Sequence, residues 1–230
     1  MNSDDIGSLI AAIGALGTAS FALVDATKVG RNGGVSNSGF GFIETAVRMF
    51  LPDAGRKKDA KSMNVLDVLH GNWINGVALA DQKAIAKSLI KLQLTEQTAE
   101  KFAGAADVDK AALTAVAKAM HDGTPLTDVV LTNTLGRFDV ALTAILDDGY
   151  QHADQKYRNS AKALASVVAI VLAVAGGWAV VGGEARDYFA SAMVWKAALC
   201  GLLAIPLAPV TKDLASALQA GVKVAQAIRK

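Results

Sequence analysis

Three long runs of apolar residues stand out from the mixed polar and apolar positions of this chain. In the second run, residues 163–183 carry no charge over about 21 positions, and at about 1.5 Å per residue such a helix crosses a hydrocarbon core of about 30 Å. The third run is apolar apart from Lys196. We therefore predict transmembrane helices at 161–183 and 189–210. The turn between them, 184–188, is short enough to make the two helices an antiparallel hairpin.

The first apolar run, residues 6–24, has about 19 positions without a charge and is predicted to be another transmembrane helix. Acidic residues border it, with Asp4 and Asp5 before it and Asp25 after it. A secretory signal peptide begins with basic residues and has a shorter apolar core, so this run does not fit one. Residues 1–5 are accordingly expected to be a short tail outside the membrane.

Basic residues beside the spans predict the orientation of the chain. Lysine and arginine are enriched on the cytoplasmic side of membrane helices. Here they follow the first span, precede the second and follow the third, at Lys28, Arg31, Lys156, Arg158, Lys162 and Lys212. The turn between the second and third spans is net acidic. The amino terminus is therefore predicted outside and the carboxyl terminus inside, which places residues 25–160 in the cytoplasm. The simplest host is a bacterial inner membrane.

The segment between the first and second spans has the pattern of short amphipathic helices joined by capped turns. Apolar residues recur three or four positions apart, and no alternating stretch is long enough for a sheet. The dipeptide Asn75-Gly76 is a hairpin signal, but its flanks do not alternate, so we predict a helix that Gly76 ends in the left-handed conformation. The other predicted boundaries are helix starts at Asp81, at Thr95 and at Asp107 or Asp109, and a helix end at Gly123. The chain is therefore predicted to be an all-α integral membrane protein.

The beginning of this domain allows two interpretations. Residues 29–41 are rich in glycine and asparagine and are predicted to be a flexible connector. Residues 40–51 then have one apolar helical face, which either lies on lipid or packs in the domain core. A basic cluster of candidate lipid contacts follows, at Arg56, Lys57, Lys58 and Lys61. Because this segment is close to the membrane exit, the pattern favours the lipid surface slightly, with anionic headgroups as partners.

A long helix is predicted at the end of the domain. Its apolar positions alternate by four and three residues, at Leu131, Leu135, Phe138, Leu142 and Ile145. The stripe resumes after Gly149, so residues 131–160 are expected to run into the second span as a stalk, with a kink at Gly149. Past the third span, Pro206 and Pro209 are expected to kink or end the helix. Residues 211–230 are then expected to form an amphipathic carboxyl-terminal helix.

Composition and charge narrow the functions that this chain can have. The chain has 230 residues, of which 52% are hydrophobic and 19% charged, and its net charge is +2. A charge so close to zero argues against a nucleic-acid partner, since such domains carry a clustered basic face. Cys200 is the single cysteine and the histidines are far apart, so neither a disulfide nor a zinc site is predicted. No catalytic motif, cofactor motif or small-molecule substrate site is evident, and we predict that the protein is not an enzyme.

Small residues at helical spacing in the spans indicate helix packing. Candidate packing positions for a homo-oligomer are Gly7, Ala11, Gly14 and Thr18 in the first span and Ala165, Ala169, Ala173 and Gly177 in the second. The same residues also suit packing between the spans of one chain. Lys196 is the one charge inside a span, and it either reaches the headgroups or lines a pore in an oligomer. Trp178, Tyr188 and Trp195 have the character of interfacial anchors.

Two functions are compatible with these patterns. In the first, the protein is a non-enzymatic, oligomeric membrane protein that serves assembly, scaffolding or membrane organisation through its cytoplasmic helical domain. In the second, it is an ion channel or pore-forming protein that the third span lines and the stalk gates. Current across planar bilayers separates the two, because only a channel conducts.

Overall fold

Helices account for the regular structure throughout the described part of the chain. The computed structural model describes residues 3–30, 33–54 and 64–228, with side chains described for 8–27, 33–54 and 64–210. Within these residues there is no strand, and three helices are long and apolar enough to cross a membrane. The all-α class and the number of candidate spans are thereby confirmed, while the direction in which the spans cross stays a prediction.

The chain forms α-helices separated by short connections. They are, in chain order, α1 (Ser3–Gly30), α2 (Asn37–Phe50), α3 (Val65–Ile74), α4 (Leu79–Leu92), α5 (Glu96–Ala106), α6 (Lys110–Asp122), α7 (Val129–Val181), α8 (Ala185–Ala190) and α9 (Ala192–Ile228). A short 3₁₀ turn, Gly34–Ser36, precedes α2. The chain divides into two compact units, which we call the membrane unit (Met1–Val35 with Arg158–Lys230) and the helical domain (Ser36–Tyr157).

The membrane unit contains three candidate spans. They lie at Ser8–Thr27 in α1, in the apolar carboxyl-terminal part of α7, and at Ala192–Val210 in α9. The connection predicted as a simple turn contains the short helix α8, and its Tyr188 is only 3% exposed. Tyr188 is therefore a packed residue and not the surface anchor that the sequence indicated. Trp178 and Trp195 are 42% and 74% exposed, which is compatible with positions at the edge of a bilayer.

Pro206 and Pro209 lie inside α9 and do not end it. Each proline lacks the backbone N–H that would bond the carbonyl one turn earlier, and this loss normally interrupts a helix. In a membrane-spanning helix the neighbouring helices re-satisfy the freed carbonyls, so an internal proline is tolerated. The helix expected separately at 211–230 is therefore a continuation of α9 as far as Ile228.

Capping side chains begin two helices of the domain where the sequence predicts them. The hydroxyl of Thr95 accepts from the backbone N–H of Thr98, and a carboxylate oxygen of Asp109 accepts from that of Ala112 at 2.7 Å. Both bonds satisfy backbone donors that the first turn of a helix leaves free. The starts predicted for α5 and α6 are thereby confirmed.

Left-handed residues end several helices of the domain. Gly76 follows α3 and Gly123 follows α6 with φ of 68° and 66°, which confirms both predicted ends. Asp107 ends α5 in the same conformation, with φ of 52°. The cap predicted at Asp81 is wrong, because Asp81 lies inside the first turn of α4. Ala78 holds the cap position, and its side chain accepts no hydrogen bond.

One hydrophobic core holds the helical domain together. At its centre are three phenylalanines from three helices, Phe50 of α2, Phe102 of α5 and Phe138 of α7, each at most 1% exposed. The rings of Phe102 and Phe138 stack with their centroids 6.1 Å apart, and Phe50 meets both edge to face. Other helices contribute further fully buried residues, among them Leu69, Ile90, Leu113, Leu142 and Leu146. Segments far apart in the sequence therefore share one core.

The apolar face of α2 lies in this core. Its members Ile43, Val47 and Phe50 are at most 1% exposed, so the face that the sequence offered either to lipid or to the core packs in the core. Phe42 and Met49 lie outside this stripe and are 43% and 55% exposed. In the core this stripe leaves water and also packs closely against side chains of α5 and α7, such as Phe102 and Phe138.

Two glycines allow α2 and α7 to pack closely. A Cβ on Gly39 would overlap the backbone oxygen of Ala153, and one on Gly149 would lie 2.7 Å from the Cβ of Ala46. Helix α7 continues through Gly149 without interruption, so this glycine makes room for α2. Gly39 likewise belongs to a packed helix, and the connector predicted at 29–41 is correspondingly shorter than expected.

Candidate functional site

Glycines bring the helices of the membrane unit into close contact. A Cβ on Gly17 of α1 would overlap the backbone oxygen of Ala204 in α9. A Cβ on Gly201 of α9 would lie 2.5 Å from the Cα of Ile170 in α7. Helices in lipid associate through such close backbone approach, because apolar side chains gain nothing by leaving the lipid tails. The three candidate spans of one chain thus pack on one another through α9.

The predicted packing positions fall into two groups. The second-span stripe is buried or partly buried inside the membrane unit, at Ala165, Ala169, Ala173 and Gly177. In the first span Ala11 and Thr18 are exposed and Gly14 is buried, while Gly7 lies outside the described side chains. The second-span stripe therefore serves contacts within the chain. Ala11 and Thr18 are not covered by the other helices of the chain.

Lys196 is exposed near the beginning of α9. Its neighbour Trp195 is 74% exposed, and Arg186 of α8 is exposed as well. No described titratable side chain pairs with Lys196. A long flexible side chain near the end of a span can extend its ammonium group to the headgroups, and this position suits that role.

The other charged and metal-binding candidates give no assembled site. The cluster Arg56, Lys57, Lys58 and Lys61 lies outside the described residues. In the part of the chain that is described, no group of three or more histidine, cysteine or acidic residues could hold a metal ion. His70 Nε2 lies 2.9 Å from Asn37 Oδ1, and His152 Nε2 lies 3.4 Å from an oxygen of Asp148. These are local contacts of helix surfaces.

Three lysines of α4 form a ladder of ion pairs with α7. Lys83 lies 2.6 Å from Asp147, and Lys87 and Lys91 lie 2.5 and 2.9 Å from the two oxygens of Asp139. The lysines are four residues apart, so they share one helical face. Burial acts to raise the pKa of Asp139, but the hydrogen bonds from Lys87 and Lys91 outweigh it and lower the pKa below its ordinary value of 3.8. The ladder joins α4 to α7 side by side.

We expect the stability of the protein to depend on Asp139 at neutral pH but not in strong acid. Its folded-state pKa is depressed, so its contribution is present above pH 3.8 and is lost as the pH falls through the lower folded value. Solvent screens the pair, so Asp139→Asn should cost less than about 1 kcal/mol at pH 7. Thermal unfolding of the full chain in detergent, measured at steps from pH 7 down to about pH 2, checks this. Glu100→Gln, at a fully exposed pair with Lys110, is the matched control and should change little.

A buried polar contact also links α4 to α7. The hydroxyl of Tyr150 donates to the backbone oxygen of Gln82 at 3.4 Å, and the Gln82 amide donates to the carbonyl of Val77 at 2.5 Å. Burial raises the pKa of Tyr150, so the phenol stays protonated. Tyr150 and Gln82 are 1% and 2% exposed, and no ligand can reach them without opening the core. Their role is therefore structural.

A shallow groove on the helical domain is one candidate binding surface. It lies between α7 and the connection from α5 to α6 and encloses about 540 Å³. We call it the α7 groove; its lining includes Asp107, Asn133, Gly136, Arg137 and Val140. Arg137 has no ion pair among the described residues. Val140 is 70% exposed.

The α7 groove is not among the sites that the sequence predicts. Its polar lining residues on α7 lie on the outer face of the helix, outside the stripe that packs in the core. Polar residues are common on an exposed face, so they do not indicate a binding site. The one feature of the sequence that could have indicated the groove is Val140, an apolar residue on that outer face. A second groove, of about 620 Å³, lies among α4, α5 and α6 and is lined in part by Leu92, Thr95, Met120 and His121.

Comparisons with known protein families, with characterised proteins and with solved structures find no match for the chain. The membrane unit provides packed spans with Lys196 exposed near the beginning of α9, and the helical domain provides a buried core with a partly apolar groove on its surface.

Proposed function

We propose that the protein is a non-enzymatic, oligomeric membrane protein that organises or assembles other components through its helical domain. The observation that supports this best is the arrangement along the chain, since a domain with its own core is inserted between membrane-spanning helices. A domain inserted in this way is tethered to the membrane through both of its ends. In our proposal the domain lies in the cytoplasm of a bacterial cell and the membrane is the inner one.

The α7 groove is the surface that we assign to docking in this proposal. It combines the exposed Val140 with Arg137, which has no ion pair within the described residues, and arginine beside apolar surface is common where proteins bind one another. An apolar side chain of a partner would be buried against Val140, and a carboxylate of the same partner would pair with Arg137. Neither contact requires catalytic chemistry.

The oligomer in this proposal forms through α1. Ala11 and Thr18 are exposed on that helix and are small enough for another helix to approach closely. We expect the full chain in lipid nanodiscs to have the mass of an oligomer, and the double variant Ala11→Leu, Thr18→Leu to have that of a monomer. Native mass spectrometry measures both. The control Val167→Leu enlarges an exposed residue of α7 outside the predicted set and should leave the oligomer intact.

A native chain that is monomeric at all concentrations would contradict the proposed oligomer.

The same preparation also tests the alternative function, an ion channel. Our proposal expects no current in planar bilayers. Conductance whose ion selectivity changes in Lys196→Glu would replace the proposal with a channel in which Lys196 lines the pore.

The proposed orientation predicts which positions reagents can reach from outside the cell. In a Cys200→Ala background, Glu184→Cys lies in the connection between the second and third spans and Thr124→Cys lies in the exposed loop before α7. A membrane-impermeant maleimide added to intact cells should label Glu184→Cys and leave Thr124→Cys unlabelled until the cells are broken. Labelling of Thr124→Cys in intact cells would reverse the orientation.

A further inference from the structure

Tyr188 is the one buried residue of the short helix α8. Tyr188 is 3% exposed, whereas the other side chains of α8, Arg186, Asp187 and Phe189 among them, are exposed. The end of the Tyr188 ring sits over Gly177 of α7, where any Cβ would overlap its hydroxyl oxygen. Ala197 of α9 completes the niche around Gly177.

Burial of the Tyr188 hydroxyl has an energetic cost. The hydroxyl oxygen of Tyr188 is buried and has no hydrogen-bond partner among the described residues. A buried hydroxyl without a partner has lost its bond to water and gained none in return, so it weakens the closed position. The phenyl part of the ring gains from burial, and the hydroxyl part opposes it.

The backbone before α8 is less restricted than the backbone after it. Before α8, Gly182 and Gly183 both have positive φ, 70° and 88°, and a Cβ on either would meet nothing within 4 Å. After α8, Ser191 is tied on both sides. Its hydroxyl donates to the carbonyl of Tyr188 at 2.7 Å and accepts from the N–H of Met193 at 3.2 Å. Motion of α8 is therefore easiest at the glycine pair.

We propose that α8 is a hinged flap on the hairpin that the second and third spans form. The Tyr188 ring holds the flap closed, and the Gly182-Gly183 pair is the hinge at which it opens. In the closed state the ring fills the niche beside Gly177. In the open state the Tyr188 hydroxyl reaches water or headgroups and regains a hydrogen bond, and the niche becomes accessible. This inference does not depend on the function proposed above.

Distances between spin labels on the full chain in nanodiscs test the flap. In a Cys200→Ala background, labels at Ala185→Cys on α8 and Leu203→Cys on α9 occupy exposed positions, and pulsed electron paramagnetic resonance measures their separation. We expect two distance populations. Tyr188→Phe removes the unpaired hydroxyl and should reduce the open population about five-fold or more. Gly177→Ala obstructs the seat of the ring and should make the open population dominant.

Gly176→Ala is the matched control, because its Cβ would meet nothing within 4 Å, and it should leave both populations as they are. A single distance population in the native sequence overturns the flap. So does a Tyr188→Phe variant whose populations equal those of the native sequence. Since Tyr188→Phe is a conservative change, it keeps the test valid if Gly177→Ala fails to fold.

Discussion

Replacing Phe138 with alanine is expected to lower the free energy of unfolding of the helical domain by about 3–5 kcal/mol. Phe138 is fully buried and touches both other rings of the core trio, so the truncation leaves a cavity that three helices line. Domains are stable by only about 5–15 kcal/mol, so this loss is a large share of the total. Hydrogen exchange of α5 and α6 peptides in the full chain measures it. Amides that exchange through unfolding of the domain should exchange about 100-fold faster or more.

Leu92→Ala provides the control for the phenylalanine variant. Leu92 is also in the helical domain but is 70% exposed, so truncating it removes little buried surface. Its effect should stay within about 0.5 kcal/mol. Equal and small effects of Phe138→Ala and Leu92→Ala would contradict the core described above.

Gly39→Ala is the second change for which we expect a large loss of stability. The added methyl group would overlap the backbone oxygen of Ala153 and lie 3.0 Å from the ring of Trp73. Backbone atoms of α7 cannot rotate away as a side chain can, so α2 must shift as a whole. We expect a cost of about 2 kcal/mol or more, measured as a lower midpoint of thermal unfolding of the full chain in detergent.

The same helix provides a control, Gly41→Ala, for which we expect a gain in stability instead of a loss. Gly41 lies on the exposed side of α2, and a Cβ there would meet nothing within 4 Å. Gly41→Ala should therefore stabilise α2 by about 0.5–1 kcal/mol, because alanine favours the helix and glycine does not. If both variants were stabilised alike, the close packing of α2 on α7 would be refuted.

Local signals along the chain predicted local structure well. Thr95, Asp109, Gly76 and Gly123 begin or end helices as expected, since each of these residues acts on its own turn or on backbone groups a few positions away. The helix start predicted at Asp81 is wrong, although aspartate is a common capping residue. The chain turns into α4 three residues earlier, and Asp81 then lies inside the helix.

Contacts between distant residues could not be predicted in this way. Nothing near Gly39 in the sequence indicates that it faces Ala153, and its neighbours favoured a flexible connector instead. For Tyr188 the prediction is wrong in the other direction. An aromatic residue at the end of a span is typical of an exposed anchor, but Tyr188 is buried. Its burial depends on Gly177, which belongs to another helix.

The sequence by itself determined the helical class of this protein and the positions of its three candidate membrane spans. Three long apolar segments and capped amphipathic helices are properties of continuous stretches, and hydropathy and length suffice to identify them. Only the tertiary structure decided which faces meet, that α2 packs in the core, that the second-span stripe packs within the chain, and that α7 carries a groove. Those outcomes depend on the shapes of surfaces from separate helices, and no single stretch of sequence contains them.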